Sequence, residues 1–236
     1  MTAERDLFPR AMSLAVHELR TPVTVVAGYL RMLLREQAGP LTEKQRKMLE
    51  EADRSCARLG AIVAEMSDLA KLEAQQLTIG QQEIDVDTLL AELATGMHEG
   101  DDRGVRLEHR VADGPAIVAG DRVRLAAAFN ALMRAALRER GEPGVIVVQS
   151  VIRNESSPPR VIVGIADEPT MAALLDASGA QPAFDEWRGG LGMALPIARR
   201  VIEAHGGTVW AGPGAQSRAA VAFELPLRTV SESPPR

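Results

Sequence analysis

His17, Glu18 and Thr21 are the residues whose types and spacing most directly suit a reaction. A neutral imidazole is a competent nucleophile near neutral pH, because its free pKa is about 6.5. A carboxylate at the next position can take the proton of the other ring nitrogen or hold the reactive tautomer. Thr21 stands one helical turn on, on the same face as His17. Pro22 removes a backbone donor and is expected to bend a helix just past the nucleophile. A lone histidine beside an apolar stripe is ordinarily a surface or core residue, so the neighbours of His17 carry the weight.

Those neighbours must lie on a helix. Met12, Val16, Leu19, Val23, Val26, Leu30 and Leu33 are separated alternately by four and three residues, the seam of an intertwined helix. His17 falls one residue off that seam and is rotated by roughly 100° towards solvent. A helix is expected over 7–37, ending at the Gly39-Pro40 break. Thr42 and Gln45 form a capping-box pattern that opens a second helix. Its seam runs through Met48, Ala52, Ser55, Leu59, Ile62, Met66 and Leu69, again alternating four and three. Two such helices joined by a short turn make an antiparallel hairpin, and seams of this length call for a four-helix bundle with a second copy. A homodimer is therefore expected.

The run H-E-L-R-T-P at 17–22 resembles the phospho-accepting motif, the H box, of two-component sensor histidine kinases. The resemblance implies that the imidazole attacks the γ-phosphate of ATP and passes the phosphoryl group to an aspartate on the receiver domain of a response regulator. It also implies dimerisation through the hairpin, and a polar residue at Thr21 that orients water when the regulator is dephosphorylated.

The second half of the chain has another character. Past a Gln-rich linker at 75–82, a strand at 84–86 and a helix capped by Asp87 are expected. Strands at 105–111 and 116–118 and an amphipathic helix over 121–140 follow. A hairpin of 145–152 with 161–166, a helix over 190–205 and strands at 208–211 and 219–227 complete an α+β sandwich. The segment 189–210, G-G-L-G-M-A-L-P-I-A-R-R-V-I-E-A-H-G-G-T-V-W, resembles the ATP-binding domain of the same kinases, a fold shared with gyrases and some chaperones. Gly190 and Gly192 would let backbone amides approach a phosphate at a helix N-terminus. His205 reads as structural. The fold class is thus multidomain, with a helical phosphoacceptor hairpin at 1–74, an ATP-binding-like domain at 83–227 and a disordered tail at 228–236.

Three features depart from the resemblance. The family's N box carries two asparagines four residues apart, the second a Mg²⁺ ligand. Here Asn130 keeps the first place and Arg134 takes the second. A guanidinium stays protonated and offers no lone pair, so it cannot ligate Mg²⁺, although it can clamp phosphate oxygens. Asp167 stands where the family reads the adenine amino group, but Glu168-Pro169-Thr170 replaces the glycines that follow. The segment 167–190 is also short for the lid over ATP, and residues 184–187 only faintly resemble its aromatic patch.

Three functions remain open on these grounds. The first is a histidine kinase using ATP and Mg²⁺, with His17 as nucleophile. The second is a degenerate kinase acting as a phosphotransferase or regulator phosphatase through His17, Glu18 and Thr21. The third is a non-catalytic dimeric adaptor. A net charge of −5 and 3% aromatic residues argue against a nucleic-acid partner. The single cysteine excludes an internal disulfide, gives no metal cluster and suits a reduced cytoplasm. No apolar run approaches the roughly 18 residues of a membrane span. Nothing in the chain reads as a sensor, which implies a separate sensor protein or a missing sensor domain.

Overall fold

A computed structural model describes residues 2–74, 79–98, 100–112, 114–176, 184–186, 192–212 and 219–228, the side chains of 2–8 and 10 excepted. The chain divides into two compact units, 1–77 and 78–236.

The first unit is a helical hairpin of α1 (Thr2–Leu34) and α2 (Glu43–Glu73). Helix α1 ends three residues before the expected boundary. Glu36 takes a left-handed φ of 59°, and the orphan carbonyl of Leu34 accepts from the Arg46 guanidinium at 3.3 Å. Helix α2 opens on the expected capping box: Gln45 N donates to Thr42 Oγ1 at 3.3 Å, and Thr42 N donates to Gln45 Oε1 at 2.9 Å.

The two seams divide their labour. Val16 is buried, Val23 is half-buried, and the Cys56 thiol donates to the Val23 carbonyl at 3.6 Å. Leu19, Val26 and Leu59 remain 44%, 50% and 53% exposed. On α2 the buried side holds Cys56 and Val63, one residue along from the expected Ser55 and Ile62. The hairpin thus closes on part of the apolar surface and leaves the rest uncovered.

The second unit is a sandwich. Its five-stranded sheet has the order β2-β4-β5-β7-β6, formed by β2 (Val105–Arg110), β4 (Gly144–Arg153), β5 (Arg160–Ala166), β6 (Thr208–Ala211) and β7 (Val221–Pro226). All neighbours run antiparallel except β2 and β4, which are parallel with Val105 opposite Gly144. A small antiparallel sheet joins β1 (Gln82–Asp85) to β3 (Ile117–Gly120).

Alternation along the strands sends Val161, Val163 and Ile165 to one face and Ile162, Gly164 and Ala166 to the other. Helix α4 (Arg122–Glu139) covers the first face, where Phe129 stacks on Phe223 with centroids 4.7 Å apart. Helices α3 (Val86–Thr95) and α6 (Ala194–Ala204) lie beside it. Helix α5 (Glu168–Leu175) covers the second face, burying Met171, Leu174 and Leu175 against Val147, Ala166, Trp210 and Ala222. Gly164 makes room for it, since a Cβ there would stand 2.7 Å from Met171 Sδ.

Two expectations about helix starts are corrected. Asp85, not Asp87, caps α3: its Oδ1 accepts from the amides of Asp87 at 3.0 Å and Thr88 at 3.2 Å. Asp87 is drawn inward, where its Oδ1 accepts from Ser150 Oγ and lies 3.6 Å from His109 Nε2. The last helix begins at Ala194 rather than 190.

Candidate functional site

Helix α1 holds His17 outward, as its place beside the seam dictates. The His17 and Glu18 side chains are 78% and 72% exposed, and His17 Nδ1 lies 3.3 Å from Glu18 Oε1. With Glu18 accepting the Nδ1 proton, the lone pair resides on Nε2. Thr21 is exposed one turn further along. The helix continues through Pro22, which leaves the Glu18 carbonyl without its usual amide donor. At 100° per residue, Leu14, Thr21, Val25 and Met32 fall within about 40° of one another, a second stripe beside His17. Leu14, Val25 and Met32 on that stripe are exposed.

In the second unit, α4 carries half-buried Asn130 and, one turn on, exposed Arg134. The end of α4 is tied down by Arg103, whose guanidinium donates to the carbonyls of Leu137 at 3.1 Å and Arg140 at 3.0 Å. Arg140 then turns out of the helix and reaches Asp167, Nη1 to Oδ2 at 3.4 Å. Asp167 is itself the N-cap of α5, its Oδ1 accepting from Thr170 N at 3.3 Å. Next to it, Glu168 forms a two-pronged ion pair with Arg110, at 2.7 and 2.9 Å. Hydrogen bonding to that guanidinium holds the Glu168 carboxyl below its ordinary range. Sequence reasoning did not anticipate α5, Arg140 or Arg110. The signal was present, an aspartate followed by Pro169 and by apolar residues at 171, 174 and 175.

Gly192 takes φ 62° just ahead of α6, and among the described residues no side chain caps that helix at Met193. Gly190 and Trp187 lie outside the described residues. Glu186 is bound to α6 through Arg199, Oε2 to Nη1 at 3.0 Å. His205 closes the far end of α6: Nδ1 donates to the Val201 carbonyl at 2.7 Å, and Nε2 accepts from Asp121 N at 3.0 Å. Burial depresses its pKa against the opposing pull of the Val201 carbonyl. Arg228, the first residue of the expected tail, is anchored to Glu83 at 2.7 Å.

These residues fit Mg-ATP at one end only. Gly192 and the uncapped start of α6 suit a phosphate. Arg134, at the position the resemblance gives to the Mg²⁺ ligand, offers no lone pair. The Asp167 carboxylate, which the resemblance assigns to the base, already accepts a cap bond and an ion pair, and the chain after it is helix rather than glycine loop.

Residues 10–75 match the His Kinase A (phospho-acceptor) domain. The chain is 27% identical to the sensor protein GacS of Pseudomonas syringae pv. syringae over 224 residues, 89% of this chain and 24% of the relative. It is 28% identical to the signal transduction histidine-protein kinase BarA of Escherichia coli (strain K12) over 202 residues, 82% of this chain and 22% of the relative. It thus spans about a quarter of the length of these curated relatives. Among solved structures, full-length ShkA in complex with AMPPNP matches with a TM-score of 0.69 and 23% identity, over 94% of this chain and 47% of that one. The Acinetobacter baumannii histidine kinase AdeS matches with a TM-score of 0.56 and 21% identity, over 90% and 98%. These two likenesses establish the fold, a helical N-terminal region followed by an α/β sheet domain. Residues 10–75 thus belong to the phospho-acceptor domain family, and over most of its length the chain is similar to two-component sensor histidine kinases.

Proposed function

We propose that the chain is a dimeric phosphoacceptor of a two-component pathway, in which His17 Nε2 takes a phosphoryl group and gives it to the aspartate of a response-regulator receiver domain. The observation that carries this reading is the exposed His17 imidazole with Nδ1 directed at Glu18. Glu18 fixes the tautomer in which Nε2 attacks, and it meets the positive charge that the ring gains when the N–P bond forms. Transfer to an aspartate reverses that bond change, and the neutral imidazole leaves. Thr21, one turn on, is placed to orient water against a bound phosphoaspartate.

The half-exposed Leu19, Val26 and Leu59 supply the surface on which a second copy completes a four-helix bundle. The stripe of Leu14, Val25 and Met32 supplies apolar surface beside the nucleophile for a docked receiver domain.

The test uses ammonium phosphoramidate, a nucleotide-free phosphoryl donor. Phosphate that is acid-labile and base-stable should map to His17 and be absent from His17→Ala. An unchanged yield in His17→Ala contradicts the reading and leaves a non-catalytic adaptor.

A further inference from the structure

We infer that the phosphoryl group reaching His17 comes from a protein acyl phosphate, the phosphorylated aspartate of a receiver domain, and not from a nucleotide. The inference rests on the reading of His17 as phosphoacceptor and names its donor.

Three arrangements in the second unit support it. The carboxylate at the base-reading position is engaged at both oxygens, Oδ1 by Thr170 N at 3.3 Å and Oδ2 by Arg140 Nη1 at 3.4 Å. The residues that follow it do not loop around a ligand. Glu168 and Pro169 begin a helix whose apolar side, Met171, Leu174 and Leu175, is buried on the sheet face opposite α4 and α6. Gly164 is the complementary device on the sheet, because any side chain there would strike Met171 and Leu175. Opening this segment for a nucleotide would expose three buried apolar side chains and break the Arg110–Glu168 pair. At the metal position the side chain is a cation, which repels Mg²⁺.

The phosphoacceptor has none of these obstacles. His17 is open to a partner, and its stripe of exposed apolar residues can seat a protein. The step balances without a nucleotide. The Nε2 lone pair forms the N–P bond as the P–O bond to the acyl carboxylate breaks, and the electron pair leaves with the aspartate carboxylate. The Nδ1 proton stays on the ring, and its charge is met by Glu18. The same geometry serves the return transfer to a second receiver domain, so the protein relays phosphoryl groups between regulators.

The experiment offers the intact chain two donors in parallel, with His17→Ala as control. One is γ-³²P-ATP with Mg²⁺ at millimolar concentration. The other is a panel of receiver domains loaded with ³²P-acetyl phosphate and then freed of it. Label should appear on His17 from at least one receiver and not from ATP. Mg-ATP should also leave the melting temperature unchanged, where a micromolar ligand at that concentration would raise it by several degrees. His17-dependent label from ATP overturns the inference while sparing the phosphoacceptor reading. No label from either donor overturns that reading as well.

Discussion

Arg140, just beyond the C-terminal end of α4, holds Asp167 at the N-cap of α5 with Nη1 3.4 Å from Oδ2. The contact joins the helix that carries Asn130 and Arg134 to the start of α5. Asp167→Ala removes the cap and should cost about 1 kcal/mol of unfolding free energy. Asp167→Asn keeps a capping oxygen and loses only a half-exposed ion pair, so it should cost distinctly less. Urea denaturation of both variants checks the order.

His205 ties α6 to the start of α4 and gives a pH dependence. Its folded pKa lies below the ordinary value, chiefly through desolvation, while the unfolded chain titrates near 6.5. The unfolded state therefore binds the proton first as pH falls. The stabilising contribution is complete above about pH 6.5 and is lost progressively as pH falls below it. Protonation would also set an N–H against the Asp121 amide. An NMR titration of the His205 ring should give a midpoint below that of a free imidazole, with thermal stability falling over the same range.

Ser150 is buried on β4, and its hydroxyl donates to buried Asp87. Among the described residues, Asp87 Oδ2 and His109 Nε2 have no hydrogen-bond partner there. Ser150→Ala strips the carboxylate of its one described side-chain donor and should cost roughly 1–3 kcal/mol, read as a lowered urea midpoint.

The same residues show what the sequence could and could not convey. Local signals were legible: the Thr42–Gln45 box, the strand at 161–166 and the helix beginning near Asp121 all follow from short-range chemistry. Asp85 and Asp87 are equally good caps on paper. The choice falls to Asp85 because Ser150, 63 residues away from Asp87, draws the latter inward. The parallel pairing of β2 with β4 and the seat of α5 on the far sheet face are likewise non-local. At Asp167 a family pattern masked a plain helix-start signal. His17, Glu18 and Thr21 were legible together because one helical turn contains them.

The uncovered seam makes association testable. Leu59→Asp places a charge on a half-exposed position that a two-fold bundle buries twice. At about 1.5–3 kcal/mol for each leucine, dissociation should strengthen on the order of 100-fold or more. Sedimentation should show dimer for the parent and monomer for the variant, with helicity retained.

The most direct measurement is the position of the phosphate on the ring. After phosphoramidate treatment, ³¹P NMR distinguishes Nε2-phosphohistidine from the Nδ1 isomer. With Nδ1 committed to Glu18, the signal should be that of Nε2 and should vanish in His17→Ala. Phosphate on Nδ1, or a phosphohistidine signal that survives the substitution, would contradict the account.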